Sequence, residues 1–199
     1  MGRIVAVVLC LAALAACGSN APRPTYPAAS PSASVHSGEP SAGAPAPADP
    51  SPGKGVPAVG STILLMATTA GNEYHYITNR DGEAWIEAVA DDDPDARFLV
   101  EAPLNGGDGK RRCVSLRAAE LPVRYLRHRN SEVFVDAQTG DELFRNDATW
   151  CVDVVATGIR LATAAFPDTY LRHSAYRLRI DSGGGPFVDD STWSWLSAA

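Results

Sequence analysis

Apolar and polar residues alternate in short runs along the C-terminal two thirds of the chain, as in Val133-Phe134-Val135-Asp136 and Leu178-Arg179-Ile180-Asp181. Period-two alternation sends one set of side chains to a buried face and the other to solvent, so these runs predict short β-strands. Turn-forming residues bound them: Asp81-Gly82, Thr139-Gly140-Asp141 and the stretch from Ser182 to Pro186. No window carries the 3.6-residue stripe of a long amphipathic helix.

The pattern repeats. Three tetrads start on a tyrosine: Tyr76-Ile77-Thr78-Asn79, Tyr125-Leu126-Arg127-His128 and Tyr170-Leu171-Arg172-His173. Leu65, Val114 and Ile159 lie eleven residues before these tyrosines. Downstream, the pairs Ala84/Ile86, Val133/Val135 and Leu178/Ile180 fall in register, each followed by an acid, namely Glu87, Asp136 and Asp181. Each unit closes with an aspartate three residues before an aromatic: Asp95 to Phe98, Asp147 to Trp150, Asp190 to Trp193. Self-similarity at a fixed period marks a repeat architecture. One such unit leaves an apolar face bare, and packing three around an axis covers it. The expected fold is all-β, a β-trefoil over residues 58–199, with repeats at about 61–110, 111–157 and 158–199 and around four strands in each. A linear stack is disfavoured because it leaves long unpaired edges.

The N-terminal part has a different character. Residues 1–16 place one arginine before a short apolar run and small residues, which describes a signal peptide. Leu14-Ala15-Ala16-Cys17 resembles a bacterial lipobox. That likeness implies cleavage before Cys17, lipidation of Cys17, and a protein exported to the outer face of the bacterial cell membrane. Pro, Ala, Ser and Gly fill 30 of the 40 positions from 18 to 57. Such a stretch cannot bury enough apolar surface to offset the entropy of ordering it, so residues 17–57 are expected to form a disordered, lipid-anchored linker.

Charge and cysteine usage narrow the function. Seventeen basic and 23 acidic residues give a net charge of −6 over 199 residues, which argues against a nucleic-acid partner. With Cys10 in the signal peptide and Cys17 lipidated, Cys113 and Cys151 remain, and an exported protein favours a disulfide between them. A metal site is the rival reading, but suitably spaced ligands are lacking. Asp91-Asp92-Asp93 reads as a solvated loop rather than a calcium site. No cofactor or metal is expected.

The second unit carries a family likeness. Tyr125-Leu126-Arg127-His128-Arg129-Asn130, followed by Leu143-Phe144-Arg145-Asn146-Asp147-Ala148-Thr149-Trp150, resembles the signature of the arabinofuranosidase B domain, carbohydrate-binding module family 42. Tyr170-Leu171-Arg172-His173 and Asp190-Ser191-Thr192-Trp193 are similar. The resemblance implies a β-trefoil that binds arabinofuranose side chains, with each pocket built around the tetrad histidine and the closing aspartate. Carried over, these are His128 with Asp147 and His173 with Asp190. The first unit departs, with Asn79 in place of histidine beside Asp95, so its pocket is expected to be weak or absent. Tyr125, Tyr170 and Tyr176 are candidate walls for the sugar's C–H face. Arg127 and Arg172 read as residues that bridge strands or cover apolar surface rather than touch sugar.

The expected function is therefore non-catalytic binding of α-L-arabinofuranose side chains on arabinan, arabinoxylan or arabinogalactan, by a monomer held at the membrane through Cys17. The alternatives are α-L-arabinofuranosidase activity, an accessory part in an arabinofuranosidase system of L-arabinose metabolism, or a degenerate trefoil that binds a protein partner. Glycoside hydrolysis needs two facing carboxylates, and each unit offers one pocket aspartate.

Overall fold

A computed structural model describes residues 52–107 and 109–198. The expected signal peptide, the expected lipidation at Cys17 and the expected linker up to residue 51 lie outside the described residues. Twelve strands fall into three sets of four. The first lobe holds β1 (Thr62–Ala67), β2 (His75–Arg80), β3 (Glu83–Ala88) and β4 (Phe98–Glu101). The second holds β5 (Arg112–Ala118), β6 (Arg124–Arg129), β7 (Glu132–Ala137) and β8 (Trp150–Val155). The third holds β9 (Gly158–Thr163), β10 (Tyr170–Ser174), β11 (Arg177–Asp181) and β12 (Trp193–Ser197).

The outer strands of each lobe close a six-membered antiparallel ring: β1–β4–β5–β8–β9–β12 and back to β1. Closure leaves the ring no free edge. The inner hairpins β2–β3, β6–β7 and β10–β11 meet in a triangle through β3–β7, β7–β11 and β11–β3 bridges. This is a β-trefoil, as the repeats predict. Its core is filled by the in-register apolar positions: Leu65, Val114 and Ile159 from the first strands, and Ile77, Leu126 and Leu171 from the tetrads. Phe98, Trp150 and Trp193 open the fourth strands and are fully buried. Trp195 sits at the margin of this core.

Each hairpin turns through two residues with left-handed backbone: Asp81-Gly82, Asn130-Ser131 and Ala175-Tyr176. Two-residue turns of this kind match strand twist and favour Asn, Asp or Gly at both places. Asp81-Gly82 fits. Ala175 and Tyr176, at φ 49° and 69°, are held there by the hairpin triangle, for the Tyr176 carbonyl accepts the Ile86 amide at 2.8 Å.

Three features differ from the sequence expectation. Short helices α1 (Glu142–Asp147) and α2 (Phe187–Asp190) precede the fourth strands of lobes two and three. They span too few residues for helical periodicity to show. Asp141 starts α1 by accepting the Phe144 amide at 2.7 Å. In lobe one a single 3-10 turn, Pro94–Ala96, takes that place. Finally, residues 52–57, which composition assigns to the disordered tether, lie against the barrel. Gly53 bridges Trp195, Val56 packs on the core, and the Trp195 indole donates to the Gly55 carbonyl at 2.8 Å. A Cβ on Gly53 would fall 2.3 Å from the Trp195 ring, so only glycine allows this approach.

Cys113 and Cys151 are direct partners in the β5–β8 ladder and form a disulfide. In the chain-entropy picture, closing a loop with sequence separation 38 stabilises the second lobe by about 4 kcal/mol.

Candidate functional site

The second lobe places an imidazole and a carboxylate at one hollow. β6 carries His128 and the last turn of α1 carries Asp147; both are largely buried. His128 Nε2 lies 3.7 Å from Asp147 Oδ1, beyond hydrogen-bond reach, and makes no hydrogen bond among the described residues. The two line a cavity of about 510 Å³ with Arg127, the Asn130-Ser131 turn, Leu143, Phe166 and Ile180. Phe166 and Ile180 come from the third lobe, so the hollow lies at the seam between two repeats. Leu143 and Phe166 are more than half exposed and form its apolar rim.

A shared framework aims the histidine. The Trp150 indole N–H donates to the Leu126 carbonyl at 2.9 Å, and its ring meets His128 edge-on at 5.9 Å. Arg127 lies between Asp136 (3.5 Å) and Asp147 (3.7 Å), with its guanidinium 5.0 Å from the Phe144 ring. The in-register acid of lobe two thus steadies an arginine that leans on the pocket carboxylate. Burial, with a smaller contribution from Arg127, pushes the His128 pKa down to about 4, so the ring is neutral at ordinary pH. Burial raises the pKa of Asp147 against the opposing pull of Arg127. A neutral imidazole beside a carboxylate offers one donor or acceptor and several acceptor sites, suited to the hydroxyls of a neutral ligand.

The third lobe repeats the framework. The Trp193 indole donates to the Leu171 carbonyl at 3.3 Å, and His173 lies over that ring at 6.0 Å. His173 Nε2 and Asp190 Oδ1 are 3.6 Å apart. Arg172 donates to Asp190 Oδ2 at 2.8 Å and to the Gly184 carbonyl at 3.0 Å. Burial lowers the pKa of His173, partly opposed by Asp190.

In the first lobe Asn79 Nδ2 reaches Asp95 Oδ1 at 3.5 Å, while Asn79 Oδ1 accepts the Gly82 amide at 2.9 Å. Asp95 lies within the short 3-10 turn and is exposed. A polar hollow of about 230 Å³ remains there. Of the acidic loop, Asp91 accepts the Tyr76 hydroxyl at 2.8 Å and Asp93 caps the turn through the Asp95 amide at 2.9 Å.

The tyrosines expected as walls need correction. Tyr125 is three residues from His128 on one strand, and an odd separation sends the two side chains to opposite faces. Tyr125 is buried against Phe144 and donates its hydroxyl to Glu101 at 2.8 Å. Tyr170 stands in the same relation to His173. Its hydroxyl donates to Asp153 at 2.8 Å, and its ring lies 3.9 Å from the Arg160 guanidinium. Tyr176 is half-exposed at the hairpin tip and stacks on His75 at 5.8 Å. The aromatic at the second-lobe hollow is Phe166, 6.2 Å from the His128 ring. Phe166 follows no repeat pattern, since Asn72 and Leu121 hold its place in the other lobes, so spacing gave no hint of it. Arg127, expected to bridge strands, does so and also lines the cavity.

Comparison with known proteins agrees with this architecture. The model of the α-L-arabinofuranosidase B (ABFB) domain matches residues 65–195. An arabinofuranosidase/β-xylosidase of Trichoderma koningii is 30% identical over 137 residues, covering 67% of this chain and 27% of that enzyme. An α-L-arabinofuranosidase B of Emericella nidulans is 29% identical over 153 residues, covering 68% of this chain and 30% of the enzyme. The chain therefore spans under a third of these relatives. A crystal structure of an arabinofuranosidase complexed with arabinofuranosyl-α-1,2-xylobiose superposes with a TM-score of 0.63 at 26% identity, covering 73% of this chain and 33% of that one. The BEL β-trefoil, at 21% identity and TM-score 0.53, shares the fold. With the match running through all three lobes, the chain belongs to the α-L-arabinofuranosidase B domain family.

Proposed function

We propose that the second-lobe hollow binds a terminal α-L-arabinofuranosyl residue of a polysaccharide without cleaving it, on a protein anchored outside the membrane by lipid on Cys17. One observation carries this reading: His128 Nε2 is buried without a hydrogen-bond partner among the described residues and faces Asp147 across 3.7 Å at the cavity wall. A buried polar atom of this kind calls for a partner. A furanose hydroxyl can accept from or donate to the imidazole, and a second hydroxyl can donate to the carboxylate in a charge-assisted bond. Phe166 and Leu143 then receive the C–H face. Asp147 is the one carboxylate lining this cavity among the described residues, whereas hydrolysis calls for a facing pair. The relatives' names supply the sugar.

A single-sugar pocket should bind at roughly millimolar to micromolar Kd. Affinity electrophoresis of the full chain in arabinan and in arabinoxylan tests the reading. Retardation should fall at least about tenfold in His128→Ala and Asp147→Ala, which is over about 1.4 kcal/mol, with melting temperatures recorded beside it. Added salt should leave retardation unchanged, because the ligand is neutral. Equal retardation of well-folded variants and parent removes the site. Release of arabinose from an aryl arabinofuranoside, abolished by Asp147→Ala, would replace binding with catalysis.

A further inference from the structure

The two histidine-aspartate pairs match in spacing but not in what lies between them. In the second lobe nothing among the described residues bridges the 3.7 Å gap. In the third lobe a hydroxyl does. Thr69, on the β1–β2 loop of the first lobe, sits 2.8 Å from His173 Nε2 and 3.3 Å from Asp190 Oδ1. With the Thr69 hydroxyl donating to Asp190, the His173 Nε2–H donates to the Thr69 oxygen, which fits a neutral ring. Arg172 occupies the remaining carboxylate oxygen at 2.8 Å. The polar groups that a sugar hydroxyl would engage are thus already engaged by a side chain with the same chemistry. Among the described residues no counterpart acts in the second lobe, where the loop from the next repeat presents the apolar ring of Phe166 instead.

We infer that Thr69 is a built-in hydroxyl plug that closes the third-lobe pocket, so that the domain takes one arabinofuranose, at His128 and Asp147, and not two. The inference rests on the sugar-binding reading above. Thr69 also shows the bonding a bound hydroxyl would adopt at the second lobe: bridging imidazole and carboxylate at once. The cost of entry at lobe three is displacement of that hydroxyl, which a sugar repays with equivalent bonds and no surplus. Removing the hydroxyl leaves His173 Nε2 and Asp190 to be satisfied by ligand.

Nuclear magnetic resonance titration of the isotopically labelled full chain with methyl α-L-arabinofuranoside resolves the two sites, because each histidine reports its own lobe. In the parent, His128 ring signals should shift saturably and those of His173 should stay still. In Thr69→Ala, His173 signals should shift saturably as well, with a Kd within about tenfold of the first site, or about 1.4 kcal/mol. Thr69→Ser keeps the hydroxyl and should keep His173 silent, which separates the plug from a general effect of altering the loop. Saturable shifts at His173 in the parent, or silence in Thr69→Ala while His128 still responds, overturn the plug and leave the sugar reading standing. Silence at His128 in every variant overturns both.

Discussion

Lobes two and three share a skeleton and differ in finish. Both set a tryptophan beneath a histidine, an arginine between two carboxylates, and an aspartate at the end of a short helix. The second lobe leaves its imidazole nitrogen facing a cavity with Leu143 and Phe166 at its rim, and it is stapled by a disulfide. The third fills the same gap with a threonine hydroxyl and draws its arginine on to the carboxylate at 2.8 Å, where Arg127 stays 3.7 Å away. The lesson is that a repeat conserves its buried framework more faithfully than its openings. In lobes two and three the framework is packed within the lobe, whereas the opening is completed by a loop of the next lobe, and those loops differ.

Removing the staple is the largest perturbation. Cys113→Ser with Cys151→Ser should lower stability by about 4 kcal/mol in denaturant melts. The same variant should retain sugar retardation once folded, because His128 and Asp147 lie on other elements. Loss of binding without loss of stability would show the bridge to be part of the site.

Acid comes next. The folded-state pKa of His128 lies near 4 against 6.5 for a free ring, so the unfolded chain takes up the proton first. Its contribution to stability is complete above pH about 6.5 and is lost as pH falls toward about 4, amounting to about 3 kcal/mol. Asp147, whose pKa is raised, offsets part of that loss at the acid end. His128→Gln should flatten this limb of the stability profile. An unchanged slope would place the acid sensitivity in the third lobe.

Phe166→Ala should weaken arabinofuranoside binding about tenfold with little change in melting temperature, as expected for a half-exposed aromatic wall worth about 1.4 kcal/mol. Tyr125→Phe should leave affinity unchanged, since its hydroxyl serves Glu101. Equal affinities for Phe166→Ala and parent would remove the apolar wall. The smallest effect belongs to the third-lobe turn. Ala175→Asn should raise stability by about 1 kcal/mol, because asparagine tolerates the left-handed backbone at φ 49° better than alanine. A destabilised variant would show that Ala175 is held by packing rather than strained.

Much of the fold was legible in the sequence because its causes are local and periodic. Alternation at Val133-Phe134-Val135 fixes which face is buried, and the register of Leu65, Val114 and Ile159 across repeats fixes a threefold core. The pairing of Cys113 with Cys151 followed from counting. The helices bearing Asp147 and Asp190 did not, since four to six residues carry no measurable period. The tyrosine walls did not either: Tyr125 and Tyr170 spend their hydroxyls on Glu101 and Asp153 from neighbouring strands, contacts that only the fold assembles.

By itself, then, the sequence determined the three lobes, their core and the histidine-aspartate pairs, because alternation, repeat register and motif are linear properties of the chain. Only the tertiary structure decided that Phe166 rims one hollow, that Thr69 plugs another and that residues 52–57 return to Trp195. Those contacts join segments up to 142 positions apart (195−53), and no pattern within either segment encodes the meeting. The first two exist because closing three lobes around one axis brings the loop of one lobe against the pocket of the lobe before it.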